Sequence, residues 1–392
     1  MSNRHEPLTL LGDLTPEEFL KSYWQQRPLL IRGAIPDFIS PLDPDELAGL
    51  ACEPGVEARL VEENGPDGPW QVSAGPFDDA TFERLTSSRW SLLVQAVDHY
   101  VPDVAALMKA FDFLPAWRLD DIMVSYAPPG GSVGPHVDQY DVFLLQGRGQ
   151  RRWQLGGKQP DDAPILQGID LKILETFEIE PDSDWTLNPG DMLYLPPGWA
   201  HHGVSQTDDC MTYSVGFRAL SADEAITSFA DYLGEQLPGS TRYSDAGMAP
   251  AENPGELDDA AIERMRHFIL STLDQPGELA QWFGRVMTQP KYMDQVMPLE
   301  EPMSEEDLVA QLHQGEPLFH MPGSRFAWRT EAGRTTLFVD GDGLACAEPL
   351  ARRIVDTTPM YDDALELEGA ASVLTQLVNA GSLGFFGGEE EE

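Results

Sequence analysis

The sequence predicts a mainly β domain with flanking helices, then an α-helical region, then a small mixed α+β domain. Three features lead to this. From residue 120 to 217 the chain breaks into short runs of β-branched, aromatic and aliphatic residues punctuated by Gly and Pro, and several such strands at close spacing indicate a sandwich or barrel. After Ser221 the apolar residues return at helical spacing. From about residue 302 short helical stretches mix with β-like pieces. The length of 392 residues exceeds one typical domain, and a mean hydropathy of -0.30 with 42% apolar residues places the chain among folded globular proteins. The expected domains are 1–220, 221–300 and 301–392.

Near the start, Thr15-Pro16-Glu17-Glu18 opens a helix, with Thr15 as N-cap, Pro16 at the first helical position and Glu18 closing a capping box. That helix is expected to run to about Gln26. Arg27-Pro28-Leu29-Leu30-Ile31-Arg32-Gly33 follows as a short strand ended by glycine. Residues 80–114 are read mostly as helix, from the spacing of Phe82, Leu85, Trp90, Leu93, Val94 and Val97. Strands are expected at 122–126, 142–146, 152–155, 192–195 and 211–217. Helices are expected at 222–237 and 257–273, separated by a Gly-, Pro- and Ala-rich stretch (238–255) that suits a domain boundary. Thr335-Thr336-Leu337-Phe338-Val339 is a β-like piece of the last domain, and Gly-Gly-Glu-Glu-Glu-Glu ends the chain as a frayed acidic tail.

Two segments carry chemistry. In Gly134-Pro135-His136-Val137-Asp138, residues 136 and 138 project to one face if the backbone is extended, so they can share a metal ion. In Gly190-Asp191-Met192-Leu193-Tyr194-Leu195-Pro196-Pro197-Gly198-Trp199-Ala200-His201, a strand ends in a Pro-Pro-Gly turn with His201 just beyond it. Taken alone each is weak, since H-x-D recurs by chance and Pro-Pro-Gly is usually only a turn. Together, in this order and 65 residues apart within a β-rich region, they supply two imidazoles and a carboxylate. That donor set makes the facial triad of non-haem Fe(II) oxygenases.

The spacing Gly-x5-His-x-Asp followed by Gly-x5-Pro-x-Gly-x2-His resembles the two metal motifs of the JmjC-type cupin oxygenases. The run from Gly134 to Gly147, with Arg151-Arg152-Trp153 and Tyr213-Ser214-Val215-Gly216-Phe217-Arg218, resembles the bacterial ribosomal-protein arginine hydroxylases. Phe19-Leu20-Lys21-Ser22-Tyr23-Trp24 and Arg27-Pro28-Leu29-Leu30-Ile31 are similar to that family's opening. The specific matches cover about residues 15–35 and 120–218. The resemblance implies a double-stranded β-helix, a helical dimerisation region and a winged-helix-like ending. It implies an Fe(II)-dependent dioxygenase with 2-oxoglutarate and O2 as co-substrates, with His136, Asp138 and His201 as metal ligands. The motif spacing selects His201 rather than His202, which is expected on the rim. Arg151 falls where the family places its cation for the far carboxylate of 2-oxoglutarate, a task that suits a guanidinium. Strand alternation turns Arg152 the other way, and Lys158 and Arg218 are the next cations to consider. Ser125 and Ser214 fall where relatives contact the co-substrate. The alternatives are demethylation of a methylated lysine on a basic protein, and a non-catalytic metal-binding cupin module.

Charge speaks to the partner. The chain has 66 Asp and Glu against 25 Lys and Arg, a formal net charge of -41. Nucleic acid is repelled by such a surface, and residues 301–392, with 18 acidic and 5 basic side chains, lack the cations that neutralise phosphates. The acidity fits either a basic protein partner or a solvated surface of a salt-adapted host. The resemblance and the charge together imply an arginine of a basic large-subunit ribosomal protein as substrate, with Asp120, Asp121 and Asp141 as candidate contacts. No apolar run approaches the ~20 residues that span a bilayer. Met1-Ser2-Asn3-Arg4-His5-Glu6 lacks the apolar core of a secretory signal, so a cytoplasmic location is expected. Cys52, Cys210 and Cys346 are far apart and imply neither disulfides nor a thiolate zinc site. The amphipathic helices after Ser221 imply a homodimer.

Overall fold

The computed structural model describes residues 6–63, 70–356 and 359–385. The first five residues and the acidic tail lie outside them. Contacts divide the chain into two units, Met1–Ala219 and Leu220–Glu392.

In the first unit Thr15 caps α1 (Pro16–Ser22), its side chain accepting from Glu18 N–H while Glu18 reaches back to Thr15 N–H. The helix stops before the expected Gln26. Gln25 adopts φ +59, held by its N–H to Tyr194 Oη (2.7 Å) and its side chain to Asp141 (3.0 Å), a conformation no helix accommodates. β1 (Leu29–Ile31), α2 (Pro44–Cys52), the hairpin β2 (Ala58–Glu63) and β3 (Trp70–Ala74), and α3 (Asp79–Glu83) follow. Next come β4 (Trp90–Val94), α4 (Pro102–Ala105), β5 (Leu119–Ala127), β6 (Val142–Arg148) and β7 (Arg151–Lys158). β8 (Asp184–Leu187), β9 (Met192–Leu195), β10 (Trp199–Ser205) and β11 (Cys210–Phe217) complete the unit.

These strands make an eight-stranded sheet, ordered β1-β9-β6-β11-β5-β4-β2-β3, and a three-stranded sheet, ordered β10-β7-β8. Alternation along β6 and β9 explains how they stack. Val142, Leu144, Leu193 and Leu195 pack with Trp153, Leu155 and Leu187 of the small sheet. Phe143, Leu145, Met192 and Tyr194 point the other way, into a core with Phe19 of α1, Leu47 of α2, Phe111 and Phe217. Each large side chain fully buried there contributes roughly 1.5–3 kcal/mol relative to exposure.

The helical reading of residues 80–114 is corrected over most of its length: only Asp79–Glu83 and Pro102–Ala105 are α-helix, with 3-10 turns at Val97–His99 and Ala106–Phe111. Trp90–Val94 is a strand, hydrogen-bonded between β2 and β5. Its Leu92 and Val94 join the main core, a period of two that the pairing edge of β5 selects over the looser helical match. The H-x-D segment is not a strand either. His136 makes an isolated bridge to His201, because Gly134 at φ +79 and Pro135 interrupt any ladder.

The second unit begins with α5 (Ala222–Gln236), α6 (Asp259–Leu273), α7 (Pro276–Thr288) and α8 (Glu305–His313). β12 (Leu318–His320) pairs with β16 (Leu383–Phe385), and β13 (Phe326–Glu331), β14 (Arg334–Val339) and β15 (Asp342–Cys346) form a sheet. α9 (Glu348–Asp356) and α10 (Ala370–Asn379) bring Leu350, Ile354, Leu374 and Leu377 to a core shared with Leu308 and Leu337. α7 packs on this sheet. The Phe338 ring closes on Gly284, where a Cβ would come within 2.4 Å, and Arg285 donates to Gly341 C=O at 3.3 Å. Residues 276–288, expected in the helical region, therefore pack with the small C-terminal sheet. No helix among the described residues is long and apolar enough to cross a membrane, and all three cysteines are free.

Candidate metal centre

His201 lies on β10, and the reciprocal backbone bonds His136 N–H to His201 C=O (3.0 Å) and His201 N–H to His136 C=O (2.9 Å) set the two imidazoles side by side. Asp138 is placed by its own carbonyl, which accepts from Gly198 N–H at 2.7 Å; this is the turn that the Pro-Pro-Gly sequence builds. One ligand atom from each of His136, Asp138 and His201 falls within 4.8 Å of the others, and His201 Nε2 stands 3.5 Å from Asp138 Oδ2. His201 is buried while the other two are half-buried, so the cluster opens on one side.

The tautomers suit metal binding. His136 Nδ1 lies 2.9 Å from Gly134 C=O, and His201 Nδ1 lies 2.9 Å from Trp199 C=O. A carbonyl can only accept, so each Nδ1 carries a proton and Nε2 is the nitrogen left for a metal. Burial, helped by the charge of His136, pushes His201 down to about 4, which keeps its ring neutral at physiological pH. Two imidazoles and one carboxylate make a donor set that would leave coordination positions for a chelator and O2.

Behind the ligands the inner face of the large sheet is polar. Ser125 of β5 lies opposite Thr212 of β11, so Ser214, two residues on, shares that face and is half-buried. Arg151 begins β7 and is 4% exposed, with Nη2 only 3.5 Å from Ser125 Oγ and a buried Nε that has no hydrogen-bond partner. No carboxylate among the described residues pairs with it. Its neighbour Arg152 turns outward as alternation requires and pairs with Asp184, Nε to Oδ1 at 2.7 Å. Lys158 is exposed, and Arg218 sits beside Asp120 at 3.8 Å. His202 faces away from the triad with its ring edge-on to Phe177; burial, then His136, pushes it down to about 4.

The three candidate acidic contacts separate. Asp141 is fully buried on the outer side of the sheet, accepting from Tyr194 Oη (2.7 Å), Gln25 Nε2 (3.0 Å) and Arg118 Nη2 (3.1 Å), so it is not brought to the site. Asp120 pairs with Arg218. Asp121 lies on the inner face, with Oδ2 accepting from Gln95 Nε2 (2.6 Å) and Ala96 N–H (3.0 Å). Tyr140 joins the site unforeseen. It stands beside Asp138, whose charge is the main cause that raises its titration. The period of two that links 136 to 138 extends to 140, which is the signal that could have found it.

Comparison with known proteins matches residues 106–225 to a JmjC domain and residues 271–384 to a ROXA-like winged helix. The ribosomal protein uL16 3-hydroxylase of Escherichia coli (strain K12) is 40% identical over 365 residues, 93% of this chain and 96% of that protein. A probable ribosomal oxygenase of Haemophilus influenzae is 37% identical over 265 residues, 66% of this chain and 64% of that protein. Among solved structures, YcfD, a ribosomal oxygenase from Escherichia coli in complex with cobalt and 2-oxoglutarate, superposes with a TM-score of 0.85 at 37% identity, covering 98% of this chain and 100% of that one. With both domains and nearly the whole length accounted for, the chain belongs to the JmjC-domain ribosomal oxygenase family.

Proposed function

We propose that this protein is an Fe(II)- and 2-oxoglutarate-dependent dioxygenase that hydroxylates an arginine side chain of a large-subunit ribosomal protein, uL16. The observation that carries this reading is the buried, carboxylate-free guanidinium of Arg151 behind a metal-ready His-Asp-His cluster. A buried cation without a counter-ion is costly, and a dicarboxylate chelating the metal with one end would offset that cost at Arg151 with the other. Two structures of one relative support the chemistry, since YcfD has been solved with cobalt and 2-oxoglutarate and with cobalt and succinic acid. The name of the uL16 3-hydroxylase supports the substrate.

In this reading His136, Asp138 and His201 hold Fe(II), Arg151 grips the far carboxylate, and Ser125 and Ser214 line its pocket. Bound iron with 2-oxoglutarate and O2 supplies the oxidising power for an unactivated C–H bond. Tyr140, beside Asp138, would steady that carboxylate toward the metal. Of the three acidic candidates Asp121 is the one on the site face, where it is buried and already accepts from Gln95 and Ala96.

The surroundings are read in the same way. α6 has no buried residue, its stripe Ile262, Met265 and Ile269 is 41–56% exposed, and Ile226 of α5 is 68% exposed. Such a face suits a second copy of the chain, so residues 221–300 act as a dimerisation region. The acidity of residues 301–392 suits a protein partner rather than nucleic acid, and the reaction takes place in the cytoplasm. The test is incubation with Fe(II), ascorbate, 2-oxoglutarate and purified ribosomal proteins, with succinate counted and added oxygen mapped by fragmentation. Oxygen on an arginine of uL16 is expected. Formaldehyde release without stable oxygen addition would indicate demethylation, and the absence of stimulated turnover with any ribosomal protein would overturn the proposal.

A further inference from the structure

The segment carrying two of the three proposed ligands is not a strand, so its position depends on what flanks it. On one side it bonds to β10 through the His136–His201 pair. On the other lies the chain that joins β7 to β8. This excursion, residues 159–183, folds back on itself. Leu166 N–H donates to Ile173 C=O (2.8 Å), Glu175 N–H to Pro164 C=O (2.9 Å), and Ile165 bridges Leu174. Its inner limb then reaches the ligand segment. Leu174 N–H donates to Pro135 C=O at 2.8 Å, one residue before His136.

Packing locks the same contact. Ile173 is 2% exposed and lies against Gly134, where a Cβ would stand 2.9 Å from Ile173 Cδ1 and 3.0 Å from Cγ1 and Cγ2. Gly134 is also the residue whose carbonyl orients the His136 ring. The excursion is itself tied to the small sheet, by Gln159 N–H to Gly198 C=O and Glu180 N–H to Leu155 C=O, both 2.9 Å. The order across this edge is therefore β7, β10, the ligand segment, residues 173–175 and residues 164–166.

We infer that the β7–β8 excursion is a clamp whose inner limb, through Ile173 and the Leu174–Pro135 bond, positions His136 and thereby sets the affinity of the centre for its metal. This rests on His136, Asp138 and His201 being the ligands. Ile173 is not one of the ligands; it acts on His136 through Gly134, as a positioning residue. Without it, Gly134 and Pro135 can shift, and the His136 ring loses the fixed orientation that makes it a good donor. Groups that orient a metal ligand from behind typically govern 10–100-fold in affinity.

The experiment measures Mn(II) binding to the full-length protein from the EPR signal of the free aquo ion, because Mn(II) sits at the weak end of the divalent series, where differences are measurable. The variants are Ile173→Val, Ile173→Ala, Leu174→Pro and His136→Ala, with Leu47→Ala as a control that opens a cavity in the other core. Site-specific binding is expected to disappear in His136→Ala, to weaken about tenfold or more in Ile173→Ala and Leu174→Pro, and to weaken least in Ile173→Val. Leu47→Ala is expected to lower the melting temperature while binding Mn(II) as the wild type does. Wild-type binding in His136→Ala would overturn the ligand assignment. Loss in His136→Ala with wild-type affinity in folded Ile173→Ala or Leu174→Pro would overturn the clamp, as would equal weakening in Leu47→Ala. If Ile173→Ala does not fold, Ile173→Val decides by the same comparison.

Discussion

At the scale of single residues, orientation decides function. His201 and His202 are adjacent on β10 and so face opposite ways, which places one imidazole beside Asp138 and the other against Phe177. His136→Ala, Asp138→Ala and His201→Ala are each expected to abolish iron-dependent turnover, whereas His202→Ala retains most of it. Succinate formation measures this, and inactivation at 202 with normal turnover at 201 would reverse the assignment. Arg151 and Arg152 obey the same alternation, one buried without a carboxylate and one paired with Asp184 at the surface. Arg151→Ala is expected to raise the KM for 2-oxoglutarate roughly 10- to 100-fold, the worth of a charged hydrogen bond in a partly desolvated pocket. Titration of 2-oxoglutarate consumption checks it, and an unchanged KM would move the role elsewhere.

At the scale of elements, α6 shows a helix whose sequence is amphipathic yet whose apolar stripe is not covered by its own chain. A helical face of this kind gains its stability from packing rather than from helix propensity. Replacing Ile269 by Glu would set a charge in the middle of the stripe, with little cost to a monomer in which that residue is 48% exposed. The expected outcome is a halving of the solution mass at micromolar concentration with the melting temperature reduced. Analytical ultracentrifugation reads it directly; wild-type and variant chains that are both monomeric would show that the stripe has another use.

At the scale of the whole molecule, the net charge of -41 acts over distances set by salt. The Debye length is about 8 Å at physiological ionic strength, so a long-range field steers a basic protein at low salt and fades above it. The kcat/KM for a basic ribosomal protein is expected to fall steeply between low and high NaCl, while 2-oxoglutarate turnover without protein substrate changes little. A flat profile, with a melting temperature that rises as KCl is added, would instead indicate a surface adapted to a salty interior.

The sequence by itself singled out His136, Asp138 and His201, which the fold brings together, and it determined the cap of α1, the strands from Leu119 to Phe217 in outline, and the JmjC resemblance that the comparisons bear out. These are local or spacing signals: a capping box, a period of two, two motifs at a set distance. Only the tertiary structure decided the rest. Trp90–Val94 became a strand because β5 offered it an open edge, and Gln25 left the helix because Tyr194 and Asp141, more than a hundred residues away, hold it. Asp141 looked like a substrate contact from its place beside the H-x-D motif, yet the pleat turned it into the opposite core. The same long-range placement brought Ile173 under Gly134, a contact between two loops with no periodicity in either. Proximity along the chain identifies which residues share a strand, but the face they present, and what covers it, is settled by partners that no local pattern names.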